Sequence, residues 1–528
     1  MKVCFCAVNA KYIHTNPAVR LLTKIARKEY DASFVEFTIK DKIENIVNYL
    51  KNYDVIGLSC YIWNIDIMIE IANKLKKLNK IVFAGGPEVS YETETFVQYF
   101  DYVLSGEGEE IIIPFLDYLN KKTTDLIDGI ATLDMPITKP QYVKDLGKIP
   151  DILDMYTLDD FKNRIIYVET SRGCPFKCSY CLSSLENGVR FFPKEHTDKI
   201  FDFILNHEFK CIKFLDRTFN VNPKRFIEIC KVLEKTNNTY QFEVEPSIIN
   251  EDVIKYLTTE VTPNKFRLEI GIQSLLDKAI KEVDRIQNAP SLLNTIKTIN
   301  EANRVTIHVD LIAGLPYEDL NSFKETFNKT FLLLCEELQL GFLKLLRGTK
   351  LRKDASLYEY KFTPCSPYEV MANKYINEEE MKIIHDCETS LEWIWNHKRA
   401  YNFMMHLIKD KVIDNYFDFF ANFAKYYNKN NQLHLNYKAL LDYLDNIGLN
   451  SNNYLDDLKL DYLNKVRIKP LRFWGKEKLS HMELIEKVQE ISLDFTKQEL
   501  LNAFITPYKK GFIVITYKDQ KSRLDVYE

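Results

Sequence analysis

Cys174-Pro175-Phe176-Lys177-Cys178-Ser179-Tyr180-Cys181 stands directly after Ile165-Ile166-Tyr167-Val168-Glu169-Thr170, an apolar run that reads as a strand. The CxxxCxxC spacing puts three thiolates on one tight loop, where they can hold three irons of a 4Fe-4S cluster. No fourth ligand lies close by, because the next cysteine is Cys211 and the next histidine is His196. One iron is then left open. Clusters that only carry electrons are commonly closed by four cysteines, and a structural zinc site also wants four ligands. The pattern points to chemistry at the cluster, with Cys174, Cys178 and Cys181 as metal ligands and catalytic centre. The bland alternative is three buried thiols on a loop.

Strands continue downstream. Cys211–Leu215 ends in Asp216-Arg217-Thr218-Phe219-Asn220, and Tyr240–Val244 ends in Glu245-Pro246. Lys265–Ile270 runs into Gly271-Ile272-Gln273-Ser274, Thr306–Ile312 ends in Gly314-Leu315-Pro316, and Gln339–Leu346 ends in Arg347-Gly348-Thr349. With the strand before the cysteines these make six βα units, which suit a partial parallel barrel with its chemistry at the strands' carboxyl ends. Upstream, Lys2–Val8 reads as a strand, and Asn16-Pro17 caps a helix running to about Tyr30. Ser33–Thr38, Asp54–Ser59, Lys80–Ala84 and Tyr102–Leu104 are further strands, the last of them closing the series. Ile43–Leu50 and the face Ile65, Met68, Ala72, Leu75 mark helices between them. This alternation predicts a doubly wound parallel sheet, whose ligands sit outside the strands' carboxyl ends. The loops at those ends are Asn9–Asn16, Ser59–Asn64, Ala84–Ser90 and Ser105–Glu109. The pair Gly85-Gly86 lets the backbone approach a bulky ligand, although Gly-Gly-Pro alone is also an ordinary turn.

The cysteine run, with aromatic Tyr180 before its last member, resembles the signature of radical S-adenosylmethionine (SAM) enzymes. The ordered loops upstream, with Gly-Gly-Pro and Gly-Glu-Gly-Glu, resemble the cobalamin-binding domain of the cobalamin-dependent members of that family. The resemblance implies an α/β protein. An N-terminal doubly wound, Rossmann-like cobalamin-binding domain would precede a central partial (β/α)6 radical SAM barrel and a mostly helical C-terminal domain. Its cofactors would be a 4Fe-4S cluster, SAM and cobalamin. In the family the open iron chelates the amino and carboxylate groups of SAM, and one electron cleaves SAM to a 5'-deoxyadenosyl radical that takes a hydrogen atom from substrate.

By the same resemblance Tyr180 and Asp216 lie at the SAM site. Asp216 stands near the family's Gly-Gly-Glu loop, which this chain lacks. Glu245, Gln273 and Ser274 match positions facing the ribose and carboxylate, and Gly314 lies in the loop beside the adenine. Arg285 would pair with the SAM carboxylate as a fork. A solvated rim or a core salt bridge is the alternative for the charged residues. Gly85, Gly86 and Ser90 would line the cobalamin tail, with Ser59, Asn64, Gly106, Glu107 and Gly108 along the corrin. The Asp-x-His-x-x-Gly motif is absent, and His14 is the one histidine before the cysteines. Cobalamin is therefore expected with its base displaced and no histidine ligand, or the domain is degenerate and binds none. Cys60 is either a lower axial thiolate or a packed structural cysteine. Cys4, Cys6, Cys211, Cys230, Cys335, Cys365 and Cys387 read as small buried hydrophobes.

From about Lys350 the alternation stops. Asn377–His406, Tyr416–Tyr427 and Tyr437–Asn446 read as helical and Gly511–Tyr517 as a strand. This part resembles the uncharacterised C-terminal domain of one bacterial subfamily, with Ser366-Pro367-Tyr368-Glu369-Val370-Met371 following Leu346-Arg347-Gly348-Thr349. Its aromatic residues could line a substrate cavity or form core. The expected boundaries are 1–135 for the cobalamin-binding domain, 136–163 for a linker rich in Pro and Gly, 164–350 for the radical SAM core and 351–528 for the C-terminal domain.

A net charge of -4 over 528 residues gives no global drive toward nucleic acid or anionic membrane. No apolar run reaches the ~18–20 residues of a membrane span, and Met1–Ala10 is too short for a signal peptide. Eleven cysteines fit a reducing compartment, so a cytoplasmic protein is expected. The implied function is methyl transfer to an unactivated carbon or phosphorus of a small molecule, with no membrane or nucleic-acid partner and with electrons from a donor such as flavodoxin or ferredoxin. Two enzyme alternatives remain: cyclisation, rearrangement or redox chemistry without methyl transfer, and an RNA methylthiotransferase-like activity, which would want a second cluster site in the first domain. A cofactor-binding sensor would need a DNA-binding or signalling module, and none is legible.

Overall fold

The computed structural model describes residues 1–492, 494–518 and 521–527. The chain divides into two compact units. One comprises Met1–Phe323, Leu333–Cys335 and Gly341–Glu378, and the other Lys324–Leu332, Glu336–Leu340 and Glu379–Glu528.

The first unit opens with a sheet of β1 (Lys2–Asn9), β2 (Asp31–Thr38), β3 (Val55–Ser59), β4 (Ile81–Gly85), β5 (Tyr102–Leu104) and β6 (Ile130–Ala131), in the order β2-β1-β3-β4-β5-β6. All pairs are parallel except β5–β6. The helices are α1 (Pro17–Ala26), α2 (Ile43–Leu50), α3 (Ile65–Lys76), α4 (Thr93–Phe96) and α5 (Ile112–Leu119). β1 shows why the sheet is doubly wound. Cys4, Cys6 and Val8 pack with Ile46, Met68 and Phe100 on one face, and Val3, Phe5 and Ala7 pack with Leu21, Ile25 and Phe115 on the other. Side chains alternate across a strand, so a strand apolar at every position must be covered on both sides. The short antiparallel β6, beyond the strand expected to be last, has only two residues and leaves no periodic trace in the sequence.

The segment read as a linker is tightly held. Its helix α6 (Leu158–Asn163) is closed by a capping box between Thr157 and Asp160. Buried Asp160 pairs with Arg20 and Arg164, each at 2.9 Å, and Glu36 pairs with both arginines. Pro and Gly lower local periodicity without loosening a segment that is fixed by buried charge pairs.

A separate hairpin of β8 (Ser171–Cys174) and β9 (Gly188–Phe191) follows β7 (Ile165–Val168), the first strand of a second sheet that also contains β10 (Cys211–Phe214), β11 (Tyr240–Val244), β12 (Phe266–Gln273), β13 (Thr306–Ala313) and β14 (Glu337–Phe342). Its order is β14-β13-β12-β11-β10-β7, and every pair from β7 to β13 is parallel. One face is apolar. Phe242 stacks on Phe219 at 4.1 Å and meets Phe226 of the helix Pro223–Leu233. The other face carries half-buried Tyr167, Lys213, Gln241, Glu243, Arg267 and Glu269. Lys213 and Glu269 pair across strands at 2.7 Å. Edge strand β7 is covered by the β1–α1 loop: Ile165 N donates to Ile13 O at 2.8 Å, and Thr15 Oγ1 donates to Ile165 O at 2.8 Å.

The second unit is built of helices including Tyr401–Asp410, Tyr416–Phe423, Leu433–Asn446 and Leu455–Lys465. Trp393 packs against Phe423, Tyr427 and Tyr437, so in this unit the aromatic residues form core. It ends in an antiparallel sheet of Phe504–Tyr508, Gly511–Lys518 and Lys521–Tyr527, where the sequence pattern shows only the middle strand. A proline within the first strand and the polar composition of the third hide them. Among the described residues no helix is long and apolar enough to cross a membrane.

Candidate functional site

The β8–β9 hairpin presents the cysteine loop at the carboxyl end of β7. Cys178 is buried, while Cys174 and Cys181 are partly exposed. The loop is docked by its backbone, with Ser179 N donating to Val283 O at 2.9 Å and Leu351 N to Ser179 O at 3.0 Å. Lys177 Nζ closes it by donating to Ser184 O at 3.0 Å. Burial pushes the Cys178 thiol up, and the Arg285 guanidinium, with Nη1 3.9 Å from Cys178 Sγ, pulls it back. A cation beside sulfur that must ionise to bind iron suits the donor set. Among the described residues no three Cys, His, Asp or Glu side chains converge on a single ion. Three thiolates that each take a different iron have no need to converge in that way.

Arg285 Nη2 donates to Glu245 Oε2 at 2.7 Å and to Gly271 O at 2.6 Å, so two residues expected at SAM are brought together and paired with each other. Ser274 is buried, its hydroxyl donating to Glu318 at 2.5 Å. Gln273 lies at a bulge of β12 with φ +64°, and its buried Oε1 accepts no hydrogen bond among the described residues. That orphaned acceptor fits a bound polar group. The Gly314 carbonyl accepts from Tyr360 at 3.0 Å and Asn373 at 2.9 Å. Tyr180 adjoins Arg285, and burial raises its hydroxyl. Asp216 has a different place from the one the resemblance implies. It is fully buried and accepts from Thr170 N at 2.8 Å, Thr170 Oγ1 at 2.6 Å and Ser171 Oγ at 2.6 Å. Its carboxylate braces the entry to the cysteine loop.

A cavity of about 710 Å³ lies at the carboxyl end of the first sheet. Ser59, Gly85, Gly86, Gly106, Glu107 and Gly108 line it from the first sheet's loops, and Ser171, Arg172, Gly173 and Leu182 line it beside the cysteines. Phe5, Leu22, Gly57, Phe83 and Leu104 line it as well, residues that the sequence reading places in strands and a helix without a binding role. A cavity of this size with a largely apolar lining fits a corrinoid. Asn64 and Ser90 do not line it. Asn64 Nδ2 donates to Val8 O and Ser59 O, both at 3.0 Å, and Ser90 Oγ donates to Gly86 O at 2.8 Å, so they fix the lining loops from behind. The glycines answer first to neighbouring backbone. A Cβ on Gly86 would come within 2.5 Å of Cys60 O, and one on Gly106 within 2.1 Å of Gln141 O, both at positive φ. Cys60 is buried away from the cavity and its thiol is pushed up by burial, as a packed structural cysteine. Cys4 and Cys6 are likewise buried in the sheet core.

Arg172 and Arg190, to which the sequence reading gives no role, also shape this site. Arg172 meets Glu169 at 2.6 Å, Glu109 at 2.7 Å and Glu107 at 3.4 Å, and Arg190 meets Glu107 at 2.6 Å. Burial raises Glu109 against the pull of Arg172. For Glu107, burial is outweighed by Arg190 and Arg172, and the carboxyl stands below its usual range. The turn expected along the corrin is thus tied to the strands that carry the cysteines. His14 and Tyr167, joined Nδ1 to hydroxyl at 2.8 Å, line the same cavity, as do stacked Tyr61 and Trp63. A lone His or Tyr between strands carries no sequence signal of such a meeting.

Comparison with known proteins agrees with this architecture. Residues 3–113 match the B12 binding domain, residues 168–330 the radical SAM superfamily, and residues 356–518 a protein family of unknown function, DUF4080. An uncharacterised methyltransferase from Pyrococcus horikoshii is 24% identical over 70% of this chain and 85% of its own length. The cobalamin-dependent radical SAM methyltransferase TokK from Streptomyces tokunonensis is 23% identical over 54% of this chain and 45% of its own, so the chain spans less than half of that relative. Among solved structures, the cobalamin-dependent SAM radical enzyme OxsB, with aqua-cobalamin and SAM bound, is 16% identical with a TM-score of 0.60, covering 87% of this chain and 78% of that one.

Proposed function

We propose that this chain, a B12-binding domain joined to a radical SAM domain and a DUF4080 region, is a cobalamin-dependent radical SAM enzyme that methylates an unactivated carbon or phosphorus of a small molecule. The observation that carries the reading is a shared cavity bounded by the strand-end loops of the first sheet and by the residues flanking Cys174–Cys181. When bound, the cluster, SAM and cobalamin would supply a carbon radical and a transferable methyl group. The protein's own residues do the placing. Cys174, Cys178 and Cys181 would hold the cluster, and Arg285 sets a positive charge beside Cys178 that favours its thiolate. Gln273 offers its unpartnered oxygen to SAM. The loops at Ser59, Gly85 and Gly106 would cradle the corrin, and the apolar lining at Phe5 and Leu22 would exclude water from it. Electrons would come from a donor such as flavodoxin or ferredoxin, in the cytoplasm. The burial of Cys4, Cys6 and Cys60 in the sheet core offers no support to a second cluster of the RNA methylthiotransferase kind.

Anaerobic reconstitution with iron, sulfide and hydroxocobalamin, followed by metal analysis, tests the cofactor sites: about four irons and one cobalt per chain are expected. Incubation with methyl-labelled SAM then separates the chemistries. Deoxyadenosine together with S-adenosylhomocysteine supports methyl transfer. Deoxyadenosine alone would move the assignment to radical chemistry without it.

A further inference from the structure

A closed barrel that serves only as core fills its interior with branched aliphatic side chains. Here the face of the second sheet opposite its apolar, helix-packed face is built of Lys213, Gln241, Glu243, Arg267, Glu269 and Asp310. Several of these groups pair with one another: Lys213 meets Glu269 at 2.7 Å, and His308 joins Arg267 at 3.0 Å and Asp310 at 3.0 Å. At Glu243 this mutual pairing loosens. The nearest cation to Glu243 is Arg217, at 3.8 Å, beyond good hydrogen-bond reach. Arg217 itself lines the cavity, and its side chain is 56% exposed. His14 also lines it, with Nδ1 held by Tyr167 and, among the described residues, no hydrogen bond drawn from Nε2. An imidazole nitrogen, a guanidinium and a carboxylate thus stand together where the cavity meets the polar face. Partly buried charges in such a place are costly unless water or an occupant satisfies them.

We propose that this mouth, formed by His14, Tyr167, Arg217 and Glu243, is the substrate site of the reaction proposed above, and that its substrate is a small, water-soluble molecule bearing ionised groups. A lipid or an apolar macrocycle would add nothing to His14 Nε2 or to the long Arg217–Glu243 pair, whereas a charged metabolite offers each a closer partner. The assignment rests on the radical SAM reading and extends it to a substrate class. His14 comes from the first sheet's β1–α1 loop, so both domains contribute to the site.

The test uses the full chain, reconstituted anaerobically with cluster and hydroxocobalamin and supplied with SAM and dithionite. Cells that make the protein are extracted into a low-molecular-weight aqueous fraction and a chloroform fraction, and each is assayed for stimulation of deoxyadenosine formation. The aqueous fraction is expected to stimulate and the chloroform fraction is not. Arg217→Ala and Glu243→Gln should each raise the amount of aqueous fraction needed for half-maximal rate by about tenfold or more, with a smaller effect on the maximal rate, as loss of a charge-assisted hydrogen bond predicts. His14→Gln serves as the second variant should either of these fail to retain cobalamin. Stimulation by the chloroform fraction, by neither fraction, or with half-maximal amounts unmoved in the variants overturns the proposal. A wild-type protein that forms no deoxyadenosine under any condition instead overturns the radical SAM reading on which the proposal stands.

Discussion

Replacing Arg172 by methionine keeps most of the side chain's volume and removes its charge. The Arg172 side chain is only 14% exposed and faces three glutamates within 3.4 Å. Removing one partner of a buried charge set costs about 3–5 kcal/mol. Arg190 still holds Glu107 at 2.6 Å, so the lower end applies. A loss of about 3 kcal/mol in local opening free energy corresponds to roughly 100-fold faster amide exchange. Hydrogen exchange with mass spectrometry should show that acceleration in peptides spanning residues 165–192 and the Gly106–Glu109 turn together, while the helix Leu433–Asn446 in the other unit exchanges as before. The deficit has a pH sign. Glu109 is raised in the folded protein by burial, so its contribution to stability is present below its unfolded pKa and is lost as pH rises. Without Arg172 it rises further, and the variant's deficit should grow as pH rises above the ordinary carboxylate range. Exchange changed by less than about threefold, or accelerated on one side of the contact only, would refute the coupling of turn and cysteine loop.

Serine at Cys174, Cys178 or Cys181 should reduce reconstituted iron from about four per chain to near zero while far-ultraviolet circular dichroism is unchanged; full iron in any of the three would exclude that residue as a ligand. Gly106→Ala places a Cβ 2.1 Å from Gln141 O at φ +90°, and should cost about 2 kcal/mol or more and lower the retained cobalamin absorbance. An unchanged melting temperature and spectrum would show that the turn can yield. Buried Asp461, which accepts from Phe403 N at 3.0 Å, has its carboxyl pushed up to about 7. Its contribution is full near pH 4 and falls as pH rises toward 7, by up to about 1.4 kcal/mol per pH unit. Melting followed by tryptophan fluorescence should therefore show a transition that weakens from pH 5 to pH 7 in the wild type and is flatter in Asp461→Asn, and equal slopes would reject this origin.

The cysteine loop was legible because three residues of one reactive type sit close together in sequence, the first sheet because its central strands are apolar runs, and the second because its strands alternate apolar and polar residues. Tyr102–Leu104 and Tyr240–Val244 coincide with the strands observed. What stayed hidden depends on distant partners. Asp216 looked like a ligand-facing acid because it ends a strand, yet Thr170 and Ser171 claim its oxygens. Gly86 and Gly106 looked like clearances for a ligand, and they are also clearances for backbone. Arg172, two residues from Cys174, could not be seen to matter until Glu107 and Glu109 were placed beside it. Short strands such as Ile130–Ala131 carry too few residues to show a period.

The covering of β7 by the β1–α1 loop has a consequence for how this protein can be dismantled. A fragment beginning at residue 164 would leave β7 with bare N–H and C=O groups along one side, the kind of edge that recruits other chains. Deleting the first domain would then cause aggregation, and that result would say nothing about cobalamin. Point variants in the cavity are the informative perturbation. The same dependence applies to descent: a lineage that ceased to use the cofactor would still have to keep the domain, because the barrel borrows its lateral wall from it.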